Sequence, residues 1–134
     1  LTTLAAGATG AVAALGDTVF PSTSMAAGLS AELASDAPAL LRLRMVHPFV
    51  AVTTGFLLAW VGFGILRSSG SAASRRAGAG LGSLVAVQCI AGGADVLLLA
   101  PVWLQLVHLL LANALWIALV VAVLDDRTRD SQAA

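Results

Sequence analysis

The chain has 134 residues, of which 59% are apolar and only 10% charged, with a formal net charge of zero. Soluble domains run at roughly 45–50% apolar and about 25% charged, so an ordinary soluble domain is excluded, nothing points to nucleic acid, and the implied surroundings are a lipid bilayer. All seven cations are Arg, and the lone Cys89, set in apolar sequence without a metal motif, reads as a small packed residue.

In chain order, Leu1 to Leu15 is a run of Ala, Gly, Thr, Val and Leu. It falls short of the roughly 20 residues a span needs and reads as the tail of a truncated membrane helix, with sequence missing before it. Gly16-Asp17 is expected to end it. Residues 16–44 form the long loop. Within it Met25 to Leu33 suits a short interfacial helix, and Ser35-Asp36-Ala37-Pro38 reads as a helix start with Asp36 as N-cap. From there the helical pattern runs toward Leu66, with Pro48 either kinking it or restarting it. Three complete spans follow, at about 45–66, 77–99 and 102–124, separated by a basic loop at 67–76 and a tight turn at Ala100-Pro101. A charged tail occupies 125–134. The fold class is therefore all-α: a polytopic membrane four-helix bundle forming a single domain.

Positive-inside bias orients it. Three Arg in 67–76, and Arg127 and Arg129 in the tail, place both segments in the cytoplasm. The 16–44 loop then faces outward from a plasma membrane. This topology puts His47 and His108, the only two histidines, at similar depth near the outer ends of their helices. Ala51, Thr54, Gly55, Leu58 and Gly62 share the side of His47 at 100° per residue, while Phe49, Phe56 and Phe63 lie opposite. This column of small residues reads either as room for something flat or as a helix–helix seam. On the next span, Gln88, Gly92 and Asp95 share a face at i, i+4, i+7.

Ionisable groups within a membrane mark function by default. Two imidazoles from two helices suit the two axial positions of a haem iron, whereas a closed zinc site wants four ligands. Haem propionates need cations or donors at the water edge. Arg44 lies three residues before His47, Arg42 lies further out, and Gln105 stands three before His108. For the arginines the competing reading is lipid-headgroup contact. Asp95 reads as a partner for Arg42 or Arg44 or a helix-end group near water, with proton handling as the functional alternative.

The runs ALGDTVFP (14–21), RLRMVHP (42–48) and APVWLQLVHLLLAN (100–113) resemble the C-terminal half of haem A synthases, over nearly the whole chain. The resemblance implies eight helices in two similar halves and oxidation of a methyl group of haem O to the formyl group of haem A. It also implies a haem B held in the C-terminal half by two histidines, here His47 and His108. The active half of that family has a Glu three residues before its histidine. Here that position is Arg44, so this stretch is expected to bind haem without transforming it, and its partner would be the other half or a second copy. Some members carry cysteine pairs in their outer loops, and 16–44 has none. The alternatives are a di-His membrane cytochrome that only carries electrons, and a non-haem membrane assembly protein with interfacial histidines.

Overall fold

The computed structural model describes residues 1–68 and 72–133, with side chains except for residue 68 and residues 125–133. Six helices follow one another: α1 (Thr2–Val19), α2 (Met25–Leu33), α3 (Ala39–Arg44), α4 (Val46–Ser68), α5 (Ala72–Leu97) and α6 (Val102–Ala133). There is no strand among the described residues. Helix α4 packs on α5 and α5 on α6, while α1 packs on both α4 and α6 and closes the ring. The two short helices, α2 and α3, cover one end of this bundle, with α3 against α1.

Three helical stretches, Ala39–Arg67, Ala72–Leu97 and Val102–Leu124, are long and apolar enough to cross a membrane. Their outward faces agree: Phe49, Phe56 and Trp60 are each more than 70% exposed, an arrangement that water would penalise and hydrocarbon does not. The chain is a multi-pass membrane protein. Inside the ring sit Leu58, Leu81, Val85 and Leu104, with Leu81 fully buried.

Several boundaries differ from the pattern reading, each for a local reason. Helix α1 does not stop at Gly16-Asp17 but continues to Val19. Gly16 instead gives close passage to the Arg44 side chain, whose Cδ would lie 3.5 Å from a Cβ there. The start of α3 is capped by Pro38, not Asp36: the Pro38 carbonyl accepts from the Leu41 and Arg42 amides. Between α3 and α4 the backbone stays right-handed helical at Met45, so the chain kinks without a loop. Pro48 has no N–H to give the Arg44 carbonyl four residues back, which is where the ladder breaks.

Most of the expected 67–76 loop is helix. Helix α4 reaches Ser68 and α5 begins at Ala72, because Ala and Arg in residues 72–77 are strong helix formers. Residues 69–71 of that loop lie outside the described residues. The expected tail is also helical to Ala133, since no Gly or Pro follows Pro101 to interrupt α6.

The turn from α5 to α6 is tight. Leu99 and Ala100 both take positive φ, 61° and 54°. The Ala100 amide donates to Asp95 O at 2.7 Å and the Leu99 amide to Val96 O at 3.2 Å, which together form a Schellman ending. Glycine is the usual residue in that conformation, and neither position has one.

A histidine pair between helix pairs

His47 stands in the first turn of α4 and His108 in the second turn of α6. These two helices are diagonal in the ring, so their inward faces meet across its centre. The ring centroids lie 6.5 Å apart, with planes at 83°. Both side chains are half-buried. The equal depth expected from topology is therefore present as a direct approach of the two rings.

Each imidazole is backed by the helix preceding its own in the ring, and by a glycine there. A Cβ at Gly10 of α1 would lie 3.1 Å from His47 Cε1, and one at Gly92 of α5 would lie 3.0 Å from His108 Cε1. These distances are tighter than ordinary van der Waals contact, so a side chain at either position would push the ring by a few tenths of an ångström. Polar neighbours come with the glycines. Thr9 Oγ1 is 3.2 Å from His47 Nδ1, and the Gln88 amide nitrogen is 3.2 Å from His108 Nε2. His108 Nδ1, Gln88 Oε1 and Asp95 Oδ1 are buried and have no hydrogen-bond partner among the described residues. Buried polar atoms are rarely left so.

The column beneath His47 faces inward, as its spacing suggests: Thr54 and Leu58 are buried and Ala51 and Gly55 half-buried. It is not an open slot. Gly62 meets α5, where a Cβ at Gly78 would lie 2.7 Å from the Gly62 carbonyl oxygen. Gly55 faces Cys89 and Val85, and Thr54 Oγ1 donates to Thr2 O on α1. The small residues serve helix contact here, because removing side chains lets backbones close up.

The expected edge groups are engaged elsewhere. Arg44 is almost buried between α1 and α2. Its Nη1 donates to Asp17 Oδ1 at 2.7 Å and its Nε to Glu32 Oε1 at 2.6 Å. Burial holds the Asp17 carboxyl above the ordinary carboxylate range, and Arg44 pulls it only part of the way back. Arg42 is exposed and donates to the carbonyls of Ala34 and Ser35, and among the described residues no carboxylate pairs with it. Gln105 donates to Ala100 O at 2.7 Å and so fastens the α5–α6 turn. Asp95 contacts neither arginine through a hydrogen bond, and its Oδ1 is one of the unpartnered atoms.

The pattern reading missed Thr9, Gly10, Gln88 and Gly92 as parts of this site. A signal for two of them existed, since Gln88 and Gly92 share a face at i, i+4. For Thr9 and Gly10 the small-residue composition of α1 hid the two positions that meet His47.

The donor set can be tested against an iron porphyrin, which the resemblance implies. Two imidazole nitrogens bound to one metal are about 4 Å apart at ~2.0 Å each, and adding a ring radius of about 1 Å on each side puts the centroids near 6 Å. The centroid separation of 6.5 Å is close to that spacing, and among the described residues no group of three or more His, Cys, Asp or Glu side chains gathers to hold a metal. Two imidazoles at this separation would suit an iron that takes two nitrogen ligands.

Comparison with known proteins bears on the same stretch. A family model described as cytochrome oxidase assembly protein matches residues 2–120. Two curated relatives named protohaem IX farnesyltransferase, from two strains of Thermus thermophilus, are each 41% identical over 114 residues. That match covers 85% of this chain but 19% of either relative, so the chain spans about a fifth of the length of the curated relatives it matches. No solved structure matches.

Proposed function

Because the chain belongs to the cytochrome oxidase assembly family that includes the haem A synthases, we propose that it is the haem-binding C-terminal half of a haem A synthase-like membrane oxidoreductase, holding a haem B between His47 and His108. The observation that carries this reading is the opposed pair itself: two imidazoles from diagonal helices, 6.5 Å apart, each seated against a glycine. The bound haem would supply one-electron chemistry at a potential tuned by its axial ligands and their hydrogen bonds.

The chain's own residues then divide the work. His47 and His108 give one ring nitrogen each. Arg42 is the cation best placed for an anionic edge, since no described carboxylate pairs with it, whereas Arg44 is neutralised by Asp17 and Glu32. Gln105 acts through the turn it fastens. With Arg44 standing three residues before His47, no carboxylate is available there for substrate chemistry, so oxidation of haem O to haem A belongs to the other half of the full-length protein. The membrane is the plasma membrane, with α2 and α3 outside and the α4–α5 connection and C-terminus in the cytoplasm.

The name of the Thermus relatives describes farnesyl transfer to protohaem IX. This chain matches 19% of either relative, and we assign farnesyl transfer to the rest of those proteins.

Two experiments test the reading. Purified from membranes, the chain should carry haem B, and a colourless folded protein would favour the non-haem assembly role. Cells expressing the full-length gene should accumulate haem A on pigment extraction. A haem-loaded protein without haem A would make it an electron-carrying cytochrome.

A further inference from the structure

The two histidines are held by chemically unlike neighbours, and the difference decides which ring nitrogen is free. Thr9 has one hydroxyl proton, and two backbone carbonyls of its own helix compete for it, Ala5 O at 2.8 Å and Ala6 O at 3.2 Å. Toward His47 Nδ1, at 3.2 Å, the same oxygen can only accept. With the Ala6 backbone as a further hydrogen-bond partner of the ring, this arrangement favours the Nδ1–H tautomer of His47, in which Nε2 keeps a lone pair.

Gln88 differs because an amide both donates and accepts. Its N–H donates to His108 Nε2, which leaves His108 with a proton on Nδ1. That Nδ1 and the Gln88 Oε1 are both buried and unpartnered. One is a donor and the other an acceptor, and they belong to the same contacting pair of residues. To accept from Nδ1–H and leave Nε2 to a metal, the Gln88 side chain has to swing from the Nε2 edge of the ring to the Nδ1 edge, a move that would give both unpartnered atoms a partner.

We propose that Thr9 and Gln88 are the positioning residues of the two histidines, Thr9 as a fixed acceptor and Gln88 as an adjustable one, with Gly10 and Gly92 setting the ring positions. This rests on the bis-histidine reading above. A hydrogen bond to the non-ligating nitrogen fixes the tautomer and raises ligand basicity, and losing such a partner typically costs about 10–100-fold in metal affinity.

The test is titration of the purified full chain with haem B, with midpoint potential and low-temperature EPR as spectroscopic readouts. Thr9→Val and Gln88→Leu should each weaken haem binding by about 10–100-fold. Thr9→Ser should behave as wild type, and Gln88→Glu should keep affinity while lowering the midpoint potential, because a carboxylate accepts more strongly. Binding within about twofold of wild type and unchanged EPR in both Thr9→Val and Gln88→Leu would overturn the proposal, since loss of such a partner should cost far more. If those two fail to fold, an unchanged potential in Gln88→Glu overturns the assignment of Gln88. If wild type takes up no haem, it is the bis-histidine reading that fails, and nitrogen NMR of the ligand-free chain decides Thr9. A His47 Nδ1–H tautomer that becomes mixed in Thr9→Val supports the proposal, and one that is unchanged overturns it.

Discussion

The bundle is made of two helix pairs that do the same thing with different connectors. In the pair α1–α4 a histidine at the start of α4 rests on Gly10 of α1, and in the pair α5–α6 a histidine near the start of α6 rests on Gly92 of α5. The residue three before each histidine fastens the connection that leads into its helix. On one side that residue is Arg44, which ties the end of α3 to Asp17 at the end of α1 and to Glu32 on α2. On the other it is Gln105, which holds Ala100 O in a turn with two left-handed residues. A long connector with two small helices needs a charge network to fix it. A connector of a few residues needs one amide and tolerates backbone strain. The same histidine position is reached both ways.

Removing the charge network should have the largest effect on stability. Arg44→Met strands two partly buried carboxylates on the α1–α4 side. A loss of about 3 kcal/mol is expected, read as a lowered melting temperature in detergent, with release of α2 seen as faster proteolysis between residues 20 and 38. A melting temperature equal to wild type would mean that the network does not hold the connector.

Gly78→Val tests what joins the two pairs. Its Cβ would meet the Gly62 carbonyl oxygen, and overpacking of this kind costs about 1–3 kcal/mol. Gly80→Ala is the matched control, because nothing lies within 4 Å of a Cβ there. It should be neutral or slightly stabilising. Equal behaviour of the two variants would remove the α4–α5 seam from the account.

On the α5–α6 side, Leu99→Gly should stabilise by about 1 kcal/mol, because glycine carries no steric cost at positive φ. A loss of stability would show that the Leu99 side chain contributes more than its backbone costs.

The smallest effect is expected at Asp17. Its carboxyl is raised by burial, so its contribution is fully present below the ordinary carboxylate value near 4 and declines as pH rises through the raised one. Asp17→Asn mimics the protonated form. The two proteins should melt alike at about pH 4, with the Asn variant gaining by less than about 1 kcal/mol at neutral pH.

Much of the fold was legible in the chain. Apolar runs of span length gave α4, α5 and α6, and Leu29 and Leu33 at i, i+4 marked α2 with the bounds the structure shows. The facing of α4 was also legible, because Phe49, Phe56 and Phe63 repeat every seven residues and all point outward. Helix ends were less so. Gly16 looked like a stop signal but serves a side-chain contact, and the Ser-rich stretch before Arg75 looked like loop but carries the first turns of α5. At the site, His47 and His108 stood out as rare ionisable residues in apolar sequence. Their backing did not, because a glycine that admits an imidazole and a glycine that admits a helix are the same letter. Arg44 was read as an anion contact from its spacing. Its two carboxylates come from positions 17 and 32, and no periodicity links those to position 44.

The central claim is that His47 and His108 hold one haem between the two helix pairs, and the absorption spectrum of the purified chain beside His47→Ala and His108→Ala tests it most directly. Wild type should show a low-spin haem B spectrum that is lost or converted to high spin in either variant, with helical content retained. A wild-type protein without haem, or a spectrum left intact by both substitutions, would contradict it.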